Sequence, residues 1–390
     1  MATIESNDLV IVGAGPAGHS AAYSYREAGG GGSVRLVSAD AHLPYNRPPL
    51  SKDYLRGESE ESELPLATKQ DYADRAIEIS LKRRVTAIEP SDHLLTLESG
   101  EQLRYGTCIW AAGSLPAALP VPGADSSDTF LLRSLDEARR LRDAARQGIS
   151  ALVIGTGFIG CEAAASLALR GNTVTMISME SMPQQARLGT DVSRRITAWL
   201  EQLGIELILG ADIKSIHDGR RVALADGREF VGDMVLQAVG VKPCINPLDD
   251  AGVKIESGRI AVNEHMRASV PDLYAAGDVA FAFNPAAGRS LQVEHWGEAL
   301  AMGEVAGTCA AGGDASWDAV PGFWTEIGDH TLKYAAWGDG FDDARLVEHG
   351  VDSFTVWYTS NDRAVGVLTH EADDDYDRGS ELVWRGDRVR

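Results

Sequence analysis

Two copies of the pattern Gly-x-Gly-x-x-Gly occur in one chain of 390 residues, at Gly13/Gly15/Gly18 and at Gly155/Gly157/Gly160. Each follows an apolar run of strand character, Leu9-Val10-Ile11-Val12 and Ala151-Leu152-Val153-Ile154, and each opens a segment with helical apolar spacing. In that setting the first glycine makes the tight turn, the second lets backbone approach a pyrophosphate, and the third lets helix pack on strand. Amides at the helix N-terminus then hold the anion. An ordinary glycine turn could account for one such loop, but two in the same strand–helix setting point to two dinucleotide sites. Two dinucleotides in one protein usually mean that electrons move between them.

At this length the chain suits two or three domains, each able to bury its own core. With 44% hydrophobic and 24% charged residues, the composition is that of a soluble globular protein. A net charge of −21 opposes both nucleic acid and anionic membrane as partners. No apolar run approaches membrane-spanning length, and Met1 to Asp8 has neither the basic nor the apolar region of a secretion signal, so the expected location is the cytoplasm. Cys108, Cys161, Cys244 and Cys309 are scattered, with no Cys-x-x-Cys spacing; neither a metal site nor a redox-active cysteine pair is expected. Cys161, inside a helix, reads as packing.

The pattern predicts a first glycine loop and helix, then a strand over Val34–Val37, with Gly29-Gly30-Gly31-Gly32 as a flexible loop between them. Short strand and turn signals run from Ile79 to Leu103, an apolar strand covers Cys108 to Gly113, and Pro116, Pro120 and Pro122 mark a linker. The second unit repeats the scheme: a helix over Phe158–Leu169, a strand over Val174–Ile177 and a helix from about Thr190 to Leu203. From about Pro321 the apolar residues alternate, as in Ser353-Phe354-Thr355-Val356-Trp357-Tyr358, which predicts an antiparallel sheet. The fold class is thus α/β, with two Rossmann-like dinucleotide-binding domains followed by a C-terminal α+β domain.

An acid about twenty residues past each glycine loop would accept hydrogen bonds from an adenosine ribose, and Asp40 and Glu180 stand there; either could also be a plain surface carboxylate. The stretch Pro44-Tyr45-Asn46-Arg47-Pro48-Pro49-Leu50-Ser51-Lys52 is a proline-stiffened loop carrying two cations, Arg47 and Lys52, suited to a pyrophosphate or an electron-rich ring. Together with the two glycine loops and Tyr274-Ala275-Ala276-Gly277-Asp278, this loop makes the chain resemble the FAD-dependent NAD(P)H:ferredoxin reductases that serve cytochrome P450 and Rieske oxygenases. Those belong to the glutathione reductase-like pyridine nucleotide-disulfide oxidoreductase superfamily, which also holds rubredoxin reductases and apoptosis-inducing factor. The resemblance covers residues 7 to 330 and is looser in the C-terminal sheet.

The resemblance implies an FAD-binding domain over 1–114 and 245–320, an NAD(P)H-binding domain over 115–244 and a C-terminal domain over 321–390. On the FAD side it implies Gly13, Gly15, Ala17, Gly18, Asp40, Arg47, Lys52, Val85, Arg133, Asp278 and Trp296, with Lys52 near the isoalloxazine and Asp278 on the ribityl chain. On the NAD(P) side it implies Gly155, Gly157, Ile159, Gly160, Glu162, Glu180, Arg187, Gly240 and Glu294, with Glu162 beside the nicotinamide. Lys52 and Glu162 are the expected catalytic environment; no acid, base or nucleophile is required. Physically, Glu162 is expected on the first turn of its helix, able to pair with Lys52, although a simple helix-dipole carboxylate would also suit that place. Phe323-Trp324-Thr325-Glu326 resembles the family's Phe-Trp-Ser-Asp, which packs toward the flavin and the partner; core burial of Trp324 is the other reading.

Some positions depart from the family pattern. Ala39 stands where many relatives carry the ribose-binding acid, leaving Asp40 one place on; Ala111-Ala112-Gly113 replaces Ala-Thr-Gly; and Ser178 stands where many NADH-dependent members carry glutamate. Glu180 could do that work and would oppose a 2′-phosphate, whereas Arg187 would attract one, so NADH is favoured and NADPH stays open. With no cysteine pair to receive them, the electrons are expected to leave singly to a [2Fe-2S] ferredoxin. A rubredoxin reductase, a direct quinone or small-molecule reductase and a redox sensor like apoptosis-inducing factor are the alternatives. The oligomeric state stays open.

Overall fold

The computed structural model describes residues 5–248 and 250–389; Met1 to Ile4, half of the stretch read above as leaderless, lie outside the described residues. The chain divides into two compact units, one of residues 1–46, 65–114 and 243–323, the other of 47–64, 115–242 and 324–390. No helix among the described residues is long and apolar enough to cross a membrane.

The first unit is built on a seven-stranded sheet whose centre is the strand Glu5–Val12. Leu9, Val10 and Ile11 have no exposed surface, the near-continuous apolar run expected of a parallel strand covered on both faces. That strand pairs in parallel with Val34–Val37 on one side, in the register Leu9↔Val34, and with Gln102–Trp110 on the other, in the register Val10↔Cys108. Leu273–Ala275 adds to the far edge of Gln102–Trp110, also in parallel, and delivers the Gly277-Asp278 turn to the end of the sheet that carries the glycine loop. A second sheet of four short strands spans Ile255 to Gln292.

The helix Pro16–Glu27 opens with proline at its first position, where a missing N–H costs nothing. It lies backbone to backbone against the helix Trp296–Ala310: a Cβ on Gly303 would sit 2.3 Å from Ala17 O, and one on Gly307 would sit 2.2 Å from Ala21 O. Both pairs are four residues apart and so share one helix face. The four-glycine run, expected to be a flexible loop, is pinned. Arg26 donates to Gly30 O at 2.8 Å and to Gly32 O at 3.0 Å, and Tyr25 OH donates to Gly31 O at 3.0 Å. Small residues there allow carbonyls to turn inward to the arginine.

The second unit holds a four-stranded parallel sheet in the order Glu206–Ile208, Thr173–Ile177, Ser150–Ile154, Met234–Gln237, a three-stranded antiparallel sheet between Ile213 and Val231, and, from Trp324 on, a five-stranded antiparallel sheet whose first strand is Gly322–Ile327 and whose last ends at His370, backed by the helix Asp373–Arg385. The helix expected from Thr190 starts earlier, at Gln185, and runs to Gln202 across a kink at Gly189, whose φ of 79° breaks the helical path. The expected proline linker is not loose chain: Leu119 and Val121 pack on the core formed by Leu152, Ile154, Ile177 and Val235. Residues 47–64 belong here because three contacts stitch them to this unit's helices. Ser166 Oγ donates to Ser51 O at 2.7 Å, Arg170 donates to Leu55 O at 2.6 Å, and the Arg142 guanidinium lies 4.3 Å over the Tyr54 ring.

Candidate functional site

The two glycine loops divide their labour in the same way. In the first, a Cβ on Gly13 would lie 2.2 Å from Ala111 O and one on Gly18 would lie 1.9 Å from Gly13 O, whereas one on Gly15 would meet nothing within 4 Å. In the second, Gly155 and Gly160 would meet Ala238 O and Gly155 O at 2.4 and 2.2 Å, whereas the nearest atom to a Cβ on Gly157 is 3.8 Å away. The outer glycines are required by packing; the middle ones leave bare backbone facing open space. Neither following helix has a side-chain cap or an acid in its first turn, so the amide donors at both N-termini face an anion site without competition. This cradle fits the pyrophosphate of FAD at the first loop and of NAD(P)H at the second.

In the first unit, Gly277 adopts a φ of 76°, and its missing side chain lets the Gly-Asp turn close on Ala17; a Cβ on Gly277 would lie 3.3 Å from that of Ala17. Asp278 is thereby buried next to the glycine-loop helix, its carbonyl taken by Arg259 Nε at 3.0 Å. Asp40 is half-buried: its carboxylate accepts from His42 N at 3.1 Å and from Tyr45 OH at 3.0 Å. Val85 is buried at the start of the strand Val85–Glu89, and Trp296 is the first residue of its helix. Glu294 falls in this unit, where Arg259 pairs with it, whereas the other expected NAD(P) residues fall in the second.

The second unit brings the expected catalytic pair together. Glu162, 3% exposed, accepts from Lys52 Nζ at 2.8 Å and Ser51 Oγ at 2.5 Å on Oε2, and from Thr325 Oγ1 at 2.6 Å on Oε1. One point is corrected: Glu162 is the fifth residue of the helix Phe158–Leu169, past its first turn, because Gly157 serves as the N-cap. Its charge is therefore met by hydroxyls and an ammonium rather than by the helix end. Lys52 also donates to Pro48 O at 3.2 Å. Arg47 donates to Arg133 O at 2.7 Å, which sets these two half-buried arginines side by side.

Glu180 is exposed just past the strand Thr173–Ile177 and accepts from Thr156 Oγ1, inside the second glycine loop, at 2.7 Å. Arg187 lies 5.5 Å over the ring of Phe158, the first residue of the loop's helix. Ile159, the second, leaves 45% of its surface exposed, and Gly240 has open space where a side chain would be. Trp324 is 40% exposed, so core burial does not describe it; its neighbour Thr325 is the buried one. Cys161 is fully buried, and burial pushes its thiol up, which fits packing.

Three residues escaped the sequence reading. Ser51 and Thr325 bond Glu162 through hydroxyls that have no motif of their own, although both lie inside stretches already singled out. Gln184, buried at a φ of 59°, donates to Thr156 O at 3.1 Å and braces the glycine loop from a position with no sequence signal.

A model of the pyridine nucleotide-disulphide oxidoreductases matches residues 7–303. The chain is 33% identical over 390 residues to the 5,5'-dehydrodivanillate O-demethylase ferredoxin reductase subunit of a Sphingobium species, a match covering 98% of this chain and 94% of that protein. It is 29% identical to apoptosis-inducing factor 3 of Mus musculus, of which it spans 64%. The crystal structure of the covalent putidaredoxin reductase-putidaredoxin complex matches with a TM-score of 0.92 and 27% identity, over 97% of this chain and 93% of that one. The fold is accordingly the expected one, with Rossmann-like domains and a C-terminal antiparallel sheet.

Proposed function

Because this chain belongs to the pyridine nucleotide-disulphide oxidoreductase family, we propose that it is an FAD-dependent reductase. It takes electrons from NAD(P)H and passes them to a [2Fe-2S] ferredoxin that feeds a cytochrome P450 or Rieske oxygenase. The observation that carries this reading is the pair of open middle glycines, Gly15 and Gly157, at two uncapped helix N-termini, with Glu162 of the second of those helices buried in an ion pair with Lys52. When bound, FAD supplies two-electron uptake and one-electron release, chemistry that belongs to the cofactor.

The chain supplies binding, orientation and charge. Residues 1–114 and 245–320 bind FAD in this reading, 115–244 bind NAD(P)H, and 321–390 form the third domain. Arg47 and Arg133 offer cations to the FAD pyrophosphate, and Asp278 accepts from the ribityl hydroxyls. Lys52 holds positive charge where negative charge develops. Glu162 has three of about four acceptor sites filled, and the remaining one takes a carboxamide N–H of the nicotinamide. Glu180, steadied by Thr156, accepts from the adenosine ribose and favours NADH over the 2′-phosphate of NADPH. The four cysteines are all free, which suits the reducing cytoplasm and leaves no protein disulfide to take the electrons.

The test is anaerobic reduction by NADH of the purified, flavin-loaded protein, followed by addition of a [2Fe-2S] ferredoxin, a rubredoxin, a quinone and dichlorophenolindophenol. Rapid bleaching of a ferredoxin is the expected result. Reduction of the dye with no ferredoxin accepted would remove the partner assignment, and failure to take up FAD on reconstitution would remove the whole reading.

A further inference from the structure

The carboxylate of Glu162 is met by donors from two stretches that are distant in sequence, residues 47–64 and the strand Gly322–Ile327, both donating from residues of the second unit. Lys52 Nζ alone would balance its charge. The two hydroxyls do something else: Ser51 and Thr325 fix opposite oxygens, Oε2 and Oε1, at 2.5 and 2.6 Å. The terminal torsion of glutamate is broad, so the plane of this carboxylate is set by its partners rather than by its rotamer. Ser51 is itself fixed. Its carbonyl accepts from Ser166 Oγ at 2.7 Å, one helical turn beyond Glu162, so the loop and the helix are tied twice. Ser51, Thr325 and Ser166 are buried to within 2% of completely, so water does not compete for these bonds.

We propose that Ser51 and Thr325 are positioning residues that clamp the Glu162 carboxylate in one orientation, so that its last acceptor site and the Lys52 ammonium are presented to the nicotinamide and the flavin in fixed register. The inference rests on the reading that Glu162 and Lys52 serve those two rings. Thr325 thereby makes the C-terminal sheet part of nucleotide recognition, through a residue that touches neither ring itself.

The experiment uses the full-length, FAD-loaded enzyme and the variants T325V, T325S, S51A and E162Q. Rapid mixing with NADH separates binding from flavin reduction, and the flavin midpoint potential and the charge-transfer absorbance are read on the same samples. T325V should weaken NADH binding about tenfold, the scale of one lost hydrogen bond to a buried charge. It should also make the potential more negative, because the carboxylate charge is less compensated, while flavin content stays that of the parent. T325S should restore both, and S51A should repeat the T325V pattern from a different stretch of chain, which covers the case of a T325V that does not fold. If E162Q changes binding and potential while T325V and S51A leave them at parental values, the clamp is wrong and the site reading stands. If E162Q changes neither, the site reading falls and the clamp with it.

Discussion

Lys52 Nζ lies 2.8 Å from Glu162 Oε2, and the two side chains are only 7% and 3% exposed. An ion pair this deep costs several kcal/mol per ion to desolvate, and the cost is offset only where further hydrogen bonds complete the pair. Ser51 and Thr325 supply them. A pair so expensive to bury fits the role proposed for it beside the nicotinamide and the flavin better than a purely stabilising one.

Breaking that pair from the lysine side should be the costlier change. K52M leaves the carboxylate buried without its cation and should destabilise the protein by about 3–5 kcal/mol. The double variant K52M/E162Q removes both charges and should recover part of that loss. Denaturant unfolding of the FAD-saturated proteins measures it; a double variant no more stable than K52M would mean the pair is not the unit.

Gly13 and Gly15 of the first loop should fail differently. G13A forces a Cβ to within 2.2 Å of Ala111 O at a φ of 111° and should cost about 2–4 kcal/mol or prevent folding. G15A meets nothing in the protein and should change stability by no more than about 0.5 kcal/mol, yet leave the purified protein depleted of yellow cofactor. Flavin absorbance per protein and a melting curve decide it; a G15A protein as yellow as the parent would contradict the assignment. G157A should do to the NADH KM what G15A does to flavin content.

Coenzyme choice is predicted to follow Glu180. E180A should lower kcat/KM for NADH about tenfold, the scale of one hydrogen bond to a charged group, with little loss for NADPH. R187A should instead weaken NADPH. Steady-state rates with both coenzymes give the ratio, and an unchanged ratio in both variants would place the selector elsewhere.

His19 gives the first unit a pH dependence of known sign. Its Nδ1 is hydrogen-bonded to the Tyr72 hydroxyl at 2.6 Å, and burial together with the Arg75 guanidinium holds its pKa down to about 4 from an ordinary value of 6.5. Between those values the unfolded chain takes up a proton that the folded chain refuses, so this contribution is complete above pH 6.5 and is lost as pH falls toward 4. Urea midpoints at about pH 7 and pH 5 should differ less for H19N, which keeps a hydrogen-bonding group without a titrating one, than for the parent. Equal differences would exclude His19 as the cause.

Much of the site was legible because it is local. The glycine loops, the strands Val34–Val37 and Thr173–Ile177 and the helix Phe158–Leu169 are each specified by short-range periodicity and by glycines whose neighbours are fixed by the loop itself. Gly189 shows the limit: it interrupts a helix whose pattern predicts a start at Thr190, because the residues before the kink form a further turn from Gln185. Gln184 shows it again, since nothing in its surroundings along the chain announces that its amide reaches Thr156 O.

Sequence alone determined that this protein has two glycine loops of the dinucleotide-binding pattern, an acid after each and a loop bearing Arg47 and Lys52, since each of these is a property of a few consecutive residues and the backbone they impose. Only the tertiary structure decided what Glu162 binds. Its partners, Ser51, Lys52 and Thr325, come from stretches about 110 residues before it and about 160 after it, and hydroxyl donors carry no periodicity or spacing from which such a meeting could be read. The same holds for the pinned glycine run and for Gly303 and Gly307 against Ala17 and Ala21, where close packing between distant segments, not local propensity, selected the residues.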